Sequence, residues 1–153
     1  MSKIVAAAAI RGAKKIVKDA EDFLNKAITE KGEGQKVEFP DTAYFFPMAY
    51  ALLGIEVKTL GDIKPVLQES KSLLHNEPTQ NFHLPYLGDT LDSGIATLFA
   101  EEIIVGLRYL YQQEPQPDCV GFFSDTILRQ LGIQLVDGRM PGFAAILGAA
   151  PDN

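Results

Sequence analysis

The sequence has few of the residues from which disulfides and metal sites are built. It contains one cysteine, Cys119, two histidines, His75 and His83, and no tryptophan. One cysteine cannot form an internal disulfide, which is typical of proteins from a reducing cytoplasm. One thiol and two imidazoles in separate segments also do not make an ordinary zinc site. We interpret Cys119 as a packed thiol and both histidines as ordinary imidazoles.

Long hydrophobic runs and basic clusters are also missing. No segment reaches the ~18 consecutive apolar residues of a membrane span. Charged residues follow the short apolar stretch at the N-terminus in helical register, which favours a helix over a signal peptide. The formal net charge is −6, and an acidic chain repels phosphate backbones. We therefore expect a cytoplasmic protein that binds neither membrane nor nucleic acid.

Motifs of nucleotide binding and nucleophilic catalysis do not occur. The chain has no G-x-x-x-x-G-K-S/T, no G-x-G-x-x-G, no C-x-x-C and no G-x-S-x-G. Glu101 and Glu102 are neighbours on a predicted helix, so their side chains point about 100° apart and do not form an acid pair. We interpret them as surface charges or one partnered carboxylate. Ser124-Asp125 follows a predicted strand, where a helix cap is favoured over a ligand site.

The residues that are abundant predict helices around a hydrophobic core. Hydrophobic residues make up 46% of the chain, and apolar residues recur at helical spacing. Thr59 with Asp62 three residues later predicts a capped helix start, because the carboxylate can reach the cap backbone. The segment with Pro47 is apolar on every side, which predicts a kinked helix buried all round or against a partner. The predicted helices span 2–31, 42–53, from Thr59 to before Pro78, and about 90–112.

The character of the sequence changes after Gln112. Pro115 and Pro117 indicate a linker, and short apolar runs separated by turns then predict strand, helix, strand and strand. We therefore expect an α/β chain with a mainly helical region over 1–112 and the beginning of a parallel sheet over 113–153. Three strands leave an edge unpaired, so self-association is one expectation.

Several segments together resemble a known family, the N-terminal domain of the acetyl-CoA synthase subunit of the carbon monoxide dehydrogenase/acetyl-CoA synthase complex. The segments, in the family's order, are Phe39 to Tyr44, Thr59 to Ile63, Ala100 to Leu110, Gly121 to Asp125, and Leu131 to Gly148. The resemblance implies a helical region followed by a Rossmann-like sheet, of which 113–153 would be a part. It also implies an anaerobic source.

The same resemblance implies where the chemistry lies. The complete subunit of the family makes acetyl-CoA at a nickel–iron–sulfur cluster, whose cysteine ligands belong to a later domain. We therefore expect no cofactor, metal or catalytic residue in this chain, and no activity of the chain alone.

The resemblance further implies partners: a carbon monoxide dehydrogenase subunit, the remainder of acetyl-CoA synthase, and a hydrophobic channel that carries CO between them. Aromatic and small side chains suit the wall of such a channel, although ordinary core packing explains them equally well. Two other interpretations stay open, an enzyme fragment completed by a partner chain and a stand-alone α/β protein that binds a small molecule. The channel or docking candidates are Tyr44, Phe45, Phe46, Ala96, Phe99, Ala100, Ile103, Gly106 and Leu107.

Overall fold

The computed structural model describes residues 3–38, 46, 48–75, 77 and 88–111. In chain order these residues form α1 (Lys3–Lys31), a π-helical turn (Ala49–Leu53), a 3-10 turn (Leu60–Asp62), α2 (Ile63–Leu74) and α3 (Asp89–Tyr111). The expectation of a mainly helical region is confirmed for this part of the chain, where an isolated bridge between Lys36 and Thr59 is the one β pairing. The sheet expected over 113–153, with the linker, Cys119 and Ser124-Asp125, lies outside the described residues, as do His83 and the cap at Ser2.

Helix α1 forms because its apolar residues recur on one face while charges pair on the other. Val17, Ala20, Leu24 and Ala27 are each at most 4% exposed, and their spacing of three and four residues is that of a helical stripe. Ion pairs one turn apart, such as Lys18 with Asp22 at 2.9 Å, occupy the exposed face. The helix ends at Gly32, whose φ of 87° is the left-handed conformation that favours glycine.

The 3-10 turn that leads into α2 has the capped start that the sequence predicts. The Asp62 carboxylate accepts hydrogen bonds from the backbone N–H groups of Lys58 and Thr59, both at 2.9 Å. These contacts satisfy donors that the 3-10 turn leaves without helical partners. Pro65 lies in the first turn of α2, where a missing N–H costs nothing.

Helix α3 packs against both α1 and α2, and the three helices share one hydrophobic core. Two contacts fix their relative positions. The Ser70 hydroxyl on α2 donates to the Ala96 carbonyl of α3 at 2.7 Å, and the Lys71 ammonium reaches Glu21 on α1 at 2.6 Å. None of the helices among the described residues is long and apolar enough to cross a membrane.

A loop between α1 and the π-helical turn is held against the start of α2 by backbone hydrogen bonds. Val37 N–H donates to the Lys58 carbonyl at 2.9 Å, Leu60 N–H to Gln35 at 3.0 Å, and Gly61 N–H to Glu33 at 2.9 Å. A Cβ at Gly61 would lie 3.3 Å from the Glu33 carbonyl oxygen, so the close approach of the two backbones favours glycine there.

The helix predicted over 42–53 is helical where the structure describes it, with π-helical geometry. Residues 49–53 form a π-helical turn that ends at Gly54, with φ 68°. Of the two burial patterns predicted for this segment, burial on every side is wrong, because the Tyr50 side chain is 42% exposed while Met48, Ala49 and Leu52 are buried. Tyrosine tolerates this position because its hydroxyl can be hydrated while its ring covers apolar surface. The alternative, an apolar side that contacts a partner, stays a prediction. Residues 42–45 and Pro47 lie outside the described residues.

Candidate functional site

The candidate channel residues of α3 lie together in the hydrophobic core. Ala96, Phe99, Ala100, Ile103 and Leu107 are each 0% exposed, and Gly106 is buried as well. Phe46, 1% exposed, belongs to the same core from the segment that precedes the π-helical turn. Side chains in a channel wall and side chains in an ordinary core are both buried in this way, so the channel stays a prediction. Tyr44 and Phe45 lie outside the described residues.

A buried carboxylate, that of Glu102, lies on the same helix. Glu102 is 0% exposed. Its Oε1 accepts a hydrogen bond from the Met48 N–H, and its Oε2 accepts one from the Ala49 N–H at 3.2 Å. The interpretation as a surface charge is wrong for Glu102, and the interpretation as one partnered carboxylate is confirmed. Sequence reasoning missed the partners because backbone N–H groups carry no residue signature.

Burial dominates the electrostatics of this carboxylate. Loss of water raises the pKa of Glu102 well above its usual value, and the hydrogen bonds from Met48 and Ala49 lower it only in part. Burial also raises the pKa of the half-buried Glu101. Glu102 therefore holds its proton more readily than an exposed glutamate, while both its oxygens bind the backbone of the π-helical turn.

Two further carboxylates, one on α2 and one on α3, are buried, and the sequence analysis did not predict their burial. Glu69 is 0% exposed and Asp92 is 1% exposed. Their positions carry a signal that could have found them. Glu69 lies three residues after Val66 and four before Leu73, and Asp92 lies three before Ile95. A polar residue on an apolar stripe indicates burial as firmly as its apolar neighbours do.

An open pocket of ≈ 280 Å³ lies where the C-terminal ends of α1 and α3 meet. Its residues come from the last turns of α1 and the last residue of α3, and none is a predicted channel or docking residue. The Lys31 ammonium stands 5.1 Å from the centre of the Tyr111 ring, within the range of a cation–π contact. The lining residues are Phe23, Lys26, Ala27, Glu30, Lys31 and Tyr111.

Comparison with known families identifies the class of protein that this helical region defines. The family described as "Carbon monoxide dehydrogenase subunit alpha N-terminal domain" matches residues 21–110. This match covers more than half of the chain and includes the C-terminal part of α1, all of α2 and all of α3 except Tyr111, so the chain belongs to that family. Membership confirms the resemblance found in the sequence and argues against an unrelated stand-alone α/β protein.

Two curated relatives extend the comparison. The chain is 40% identical over 138 residues to the carbon monoxide dehydrogenase/acetyl-CoA synthase subunit alpha of Moorella thermoacetica, covering 88% of this chain and 18% of that protein. It is 36% identical over 132 residues to the acetyl-CoA decarbonylase/synthase complex subunit beta 1 of Methanocaldococcus jannaschii, covering 85% of this chain and 16% of that protein. The chain thus spans less than a fifth of the length of either relative.

The residues of this chain do not fit a nickel–iron–sulfur cluster. Such clusters are held by several cysteine thiolates, and the whole chain has Cys119 alone. In the parts that the structure describes, no group of three or more histidine, cysteine or acidic residues is placed to hold a metal ion. His75, at the end of α2, is exposed.

Proposed function

We propose that this chain is the docking and gas-channel unit of an acetyl-CoA synthase. In this role it binds a carbon monoxide dehydrogenase subunit and the remainder of acetyl-CoA synthase, and it lines part of a hydrophobic path for CO. The nickel–iron–sulfur cluster and the chemistry belong to other parts of the enzyme. The observation that carries the proposal is the family match over residues 21–110, which includes the helices that bear the candidate channel residues.

The composition of the inward face of α3 supports the channel. A path for a small apolar gas needs apolar walls that exclude water. Ala96 and Ala100 are small and fully buried, so neighbouring elements can come close to them without filling every gap. The Glu102 carboxylate does not break this dry surface, because its two oxygens already accept hydrogen bonds from the backbone.

The exposed aromatic ring of the π-helical turn supports docking. Tyr50 is the large hydrophobic side chain that stands out at the described surface, and tyrosine is enriched in protein interfaces. Its backbone neighbours Met48 and Ala49 are fixed by Glu102. The backbone that carries this ring is therefore already ordered before a partner binds, which reduces the conformational entropy lost on binding.

Light scattering on a sizing column tests the docking role. The chain is measured alone and mixed with carbon monoxide dehydrogenase from the same organism. A mixed peak that weakens for Tyr50→Ser, but not for the exposed Lys14→Gln, supports docking through the π-helical turn. Two separate peaks would overturn the docking role. Self-association would then be the next role to test, and the molar mass measured for the chain alone reports it.

The complete synthase tests the channel. In that enzyme, Ala100→Leu is expected to slow the use of CO delivered by carbon monoxide dehydrogenase more than the use of CO added to the solution, because the larger side chain narrows the path. Thr97→Leu, on the half-buried side of α3, is the matched control. Equal rates for delivered CO in Ala100→Leu and the parent, with the fold retained, would remove Ala100 from the channel.

A further inference from the structure

The pocket between the ends of α1 and α3 has the chemistry of a recognition site for an acidic peptide. Phe23 and Ala27 give it an apolar floor, and the Tyr111 ring forms a wall. Lys26 and Lys31 bring two ammonium groups to the rim, against the one carboxylate of Glu30. The pocket is therefore locally positive on a chain whose net charge is −6.

The two lysines of the pocket differ from most other lysines of the bundle in lacking a carboxylate partner. Lys15, Lys18, Lys64 and Lys71 all form ion pairs. Among the described residues, no ion pair includes Lys26 or Lys31, although Glu30 follows Lys26 by one helical turn. Their charges are available to a ligand.

The Tyr111 ring positions one of the two ammonium groups. Lys31 lies over the Tyr111 ring, which holds its ammonium at the rim of the pocket. Burial raises the pKa of Tyr111, which agrees with a ring that is partly covered by the neighbouring side chains.

The size and openness of the pocket favour part of a peptide over an enclosed small molecule. Pockets for small molecules span about 300–1,000 Å³ and enclose most of the ligand. At ≈ 280 Å³, open to solvent, this pocket holds one or two side chains of a longer ligand. We propose that it binds an acidic segment of a partner protein, with an aromatic or aliphatic side chain on Phe23 and Ala27 and the neighbouring carboxylate between Lys26 and Lys31.

This inference deepens the proposed docking role, and it does not depend on which protein the partner is. The net charge of −6 opposes non-specific binding of acidic segments to the chain as a whole. A wholly basic segment is rejected by Lys26 and Lys31, and an acidic segment without an apolar side chain loses the contact with the floor.

The test is a titration of the full ¹⁵N-labelled chain with blocked tetrapeptides, followed by NMR. The probe is acetyl-Gly-Glu-Phe-Gly-amide. Two matched probes replace its Glu by Gln or its Phe by Ala. We expect saturable shifts at the amides of Ala27, Lys31 and Tyr111, and a Kd that is about two- to fivefold weaker for either matched probe, as exposed ion pairs and small apolar contacts give.

Variants separate the pocket from general electrostatics. Lys26→Gln and Lys31→Gln are each expected to weaken binding of the Glu-Phe probe, each by a smaller factor than removal of the probe's charge, while the exposed Lys14→Gln on α1 leaves the Kd unchanged. Equal binding of the Gln-Phe probe, or loss of binding in Lys14→Gln, would overturn the inference. So would the absence of a saturable shift up to about 10 mM probe, ten times a Kd of about 1 mM. No carbon monoxide dehydrogenase is present, so failure here leaves the sizing-column result to decide the docking role independently.

Discussion

The Glu102 carboxylate on α3 accepts a hydrogen bond from the backbone N–H of Ala49, 53 residues earlier in the chain, at 3.2 Å. Its other oxygen accepts from the adjacent Met48 N–H. The first N–H groups of a helical turn have no partner within that turn. Glu102 thus supplies from another helix what a capping side chain usually supplies from the preceding residue.

Removal of this carboxylate is expected to destabilise the fold. In Glu102→Ala, two buried N–H donors lose their acceptors, and we expect the free energy of unfolding to fall by about 2 kcal/mol. Urea denaturation measures the change. Glu101→Ala is the matched control, because the neighbouring side chain is half-buried and its removal is expected to cost less than about 1 kcal/mol. Equal losses for the two variants would contradict a capping role for Glu102.

Glu102 is also expected to make stability depend on pH. Its pKa in the folded chain lies well above the 4.5 of an unperturbed glutamate, so the folded state binds the proton more tightly than the unfolded state. The stabilisation is fully present below about pH 4.5 and is lost as pH rises through the folded pKa. Lowering the pH from neutral should therefore favour the parent chain relative to Glu102→Gln, which does not titrate there.

The measurement is the difference in urea midpoint between the parent and Glu102→Gln, from about pH 8 to about pH 5. Other carboxylates titrate in both chains and cancel in this difference. Glu101→Gln should show a difference of the same sign but smaller, because its carboxyl is only half-buried. Parallel curves for the parent and Glu102→Gln would show that the carboxyl binds protons equally in both states.

The capping contacts of Asp62, at the 3-10 turn before α2, are expected to stabilise the fold. Asp62→Ala removes the acceptor of the Lys58 and Thr59 N–H groups, and we expect a loss of about 1 kcal/mol in the free energy of unfolding. Glu56→Ala is the control, because its ion pair with Lys58, at 3.8 Å, is exposed and worth less than about 0.5 kcal/mol. Thermal unfolding in which both variants behave alike would refute the capping contribution.

The ion pair between Lys71 and Glu21 is expected to couple α2 to α1. Its atoms are 2.6 Å apart, and the Glu21 side chain is 24% exposed, so water screens it less than it screens the pair of Lys15 and Asp19. A double-mutant cycle with alanine should give a coupling of about 0.5–1 kcal/mol for Lys71 and Glu21, and less than about 0.5 kcal/mol for Lys15 and Asp19. A larger coupling for the exposed pair would contradict this ranking.

Local patterns in the sequence predict the helical bundle well. Two features depend only on residues a few positions apart. They are the apolar stripe through Val17, Ala20 and Leu24 and the capping pair of Thr59 with Asp62. Such short-range interactions can be predicted from the local sequence. The bounds of α1 and α3 accordingly agree with prediction to within about two residues.

Features that depend on distant backbone were not predictable in the same way. The partner of Glu102 is a pair of N–H groups more than 50 residues away, and any residue except proline offers such a donor. The π-helical geometry of residues 49–53 was not predictable for a related reason, since it depends on what surrounds Met48 and Ala49. The pocket at Tyr111 forms where packing brings the ends of two helices together. Short sequence motifs do not predict such a contact between distant segments.

The three backbone hydrogen bonds that hold the loop after α1 to the start of α2 bear on how this domain tolerates change in length. On composition alone, the polar stretch around Gly32 and Gly34 is a place where an inserted tag or an extra residue would be accepted. Yet one added residue would shift Glu33, Gln35 and Val37 out of register with Gly61, Leu60 and Lys58. The length of this loop is therefore constrained, and insertions or deletions in the domain are expected elsewhere along the chain.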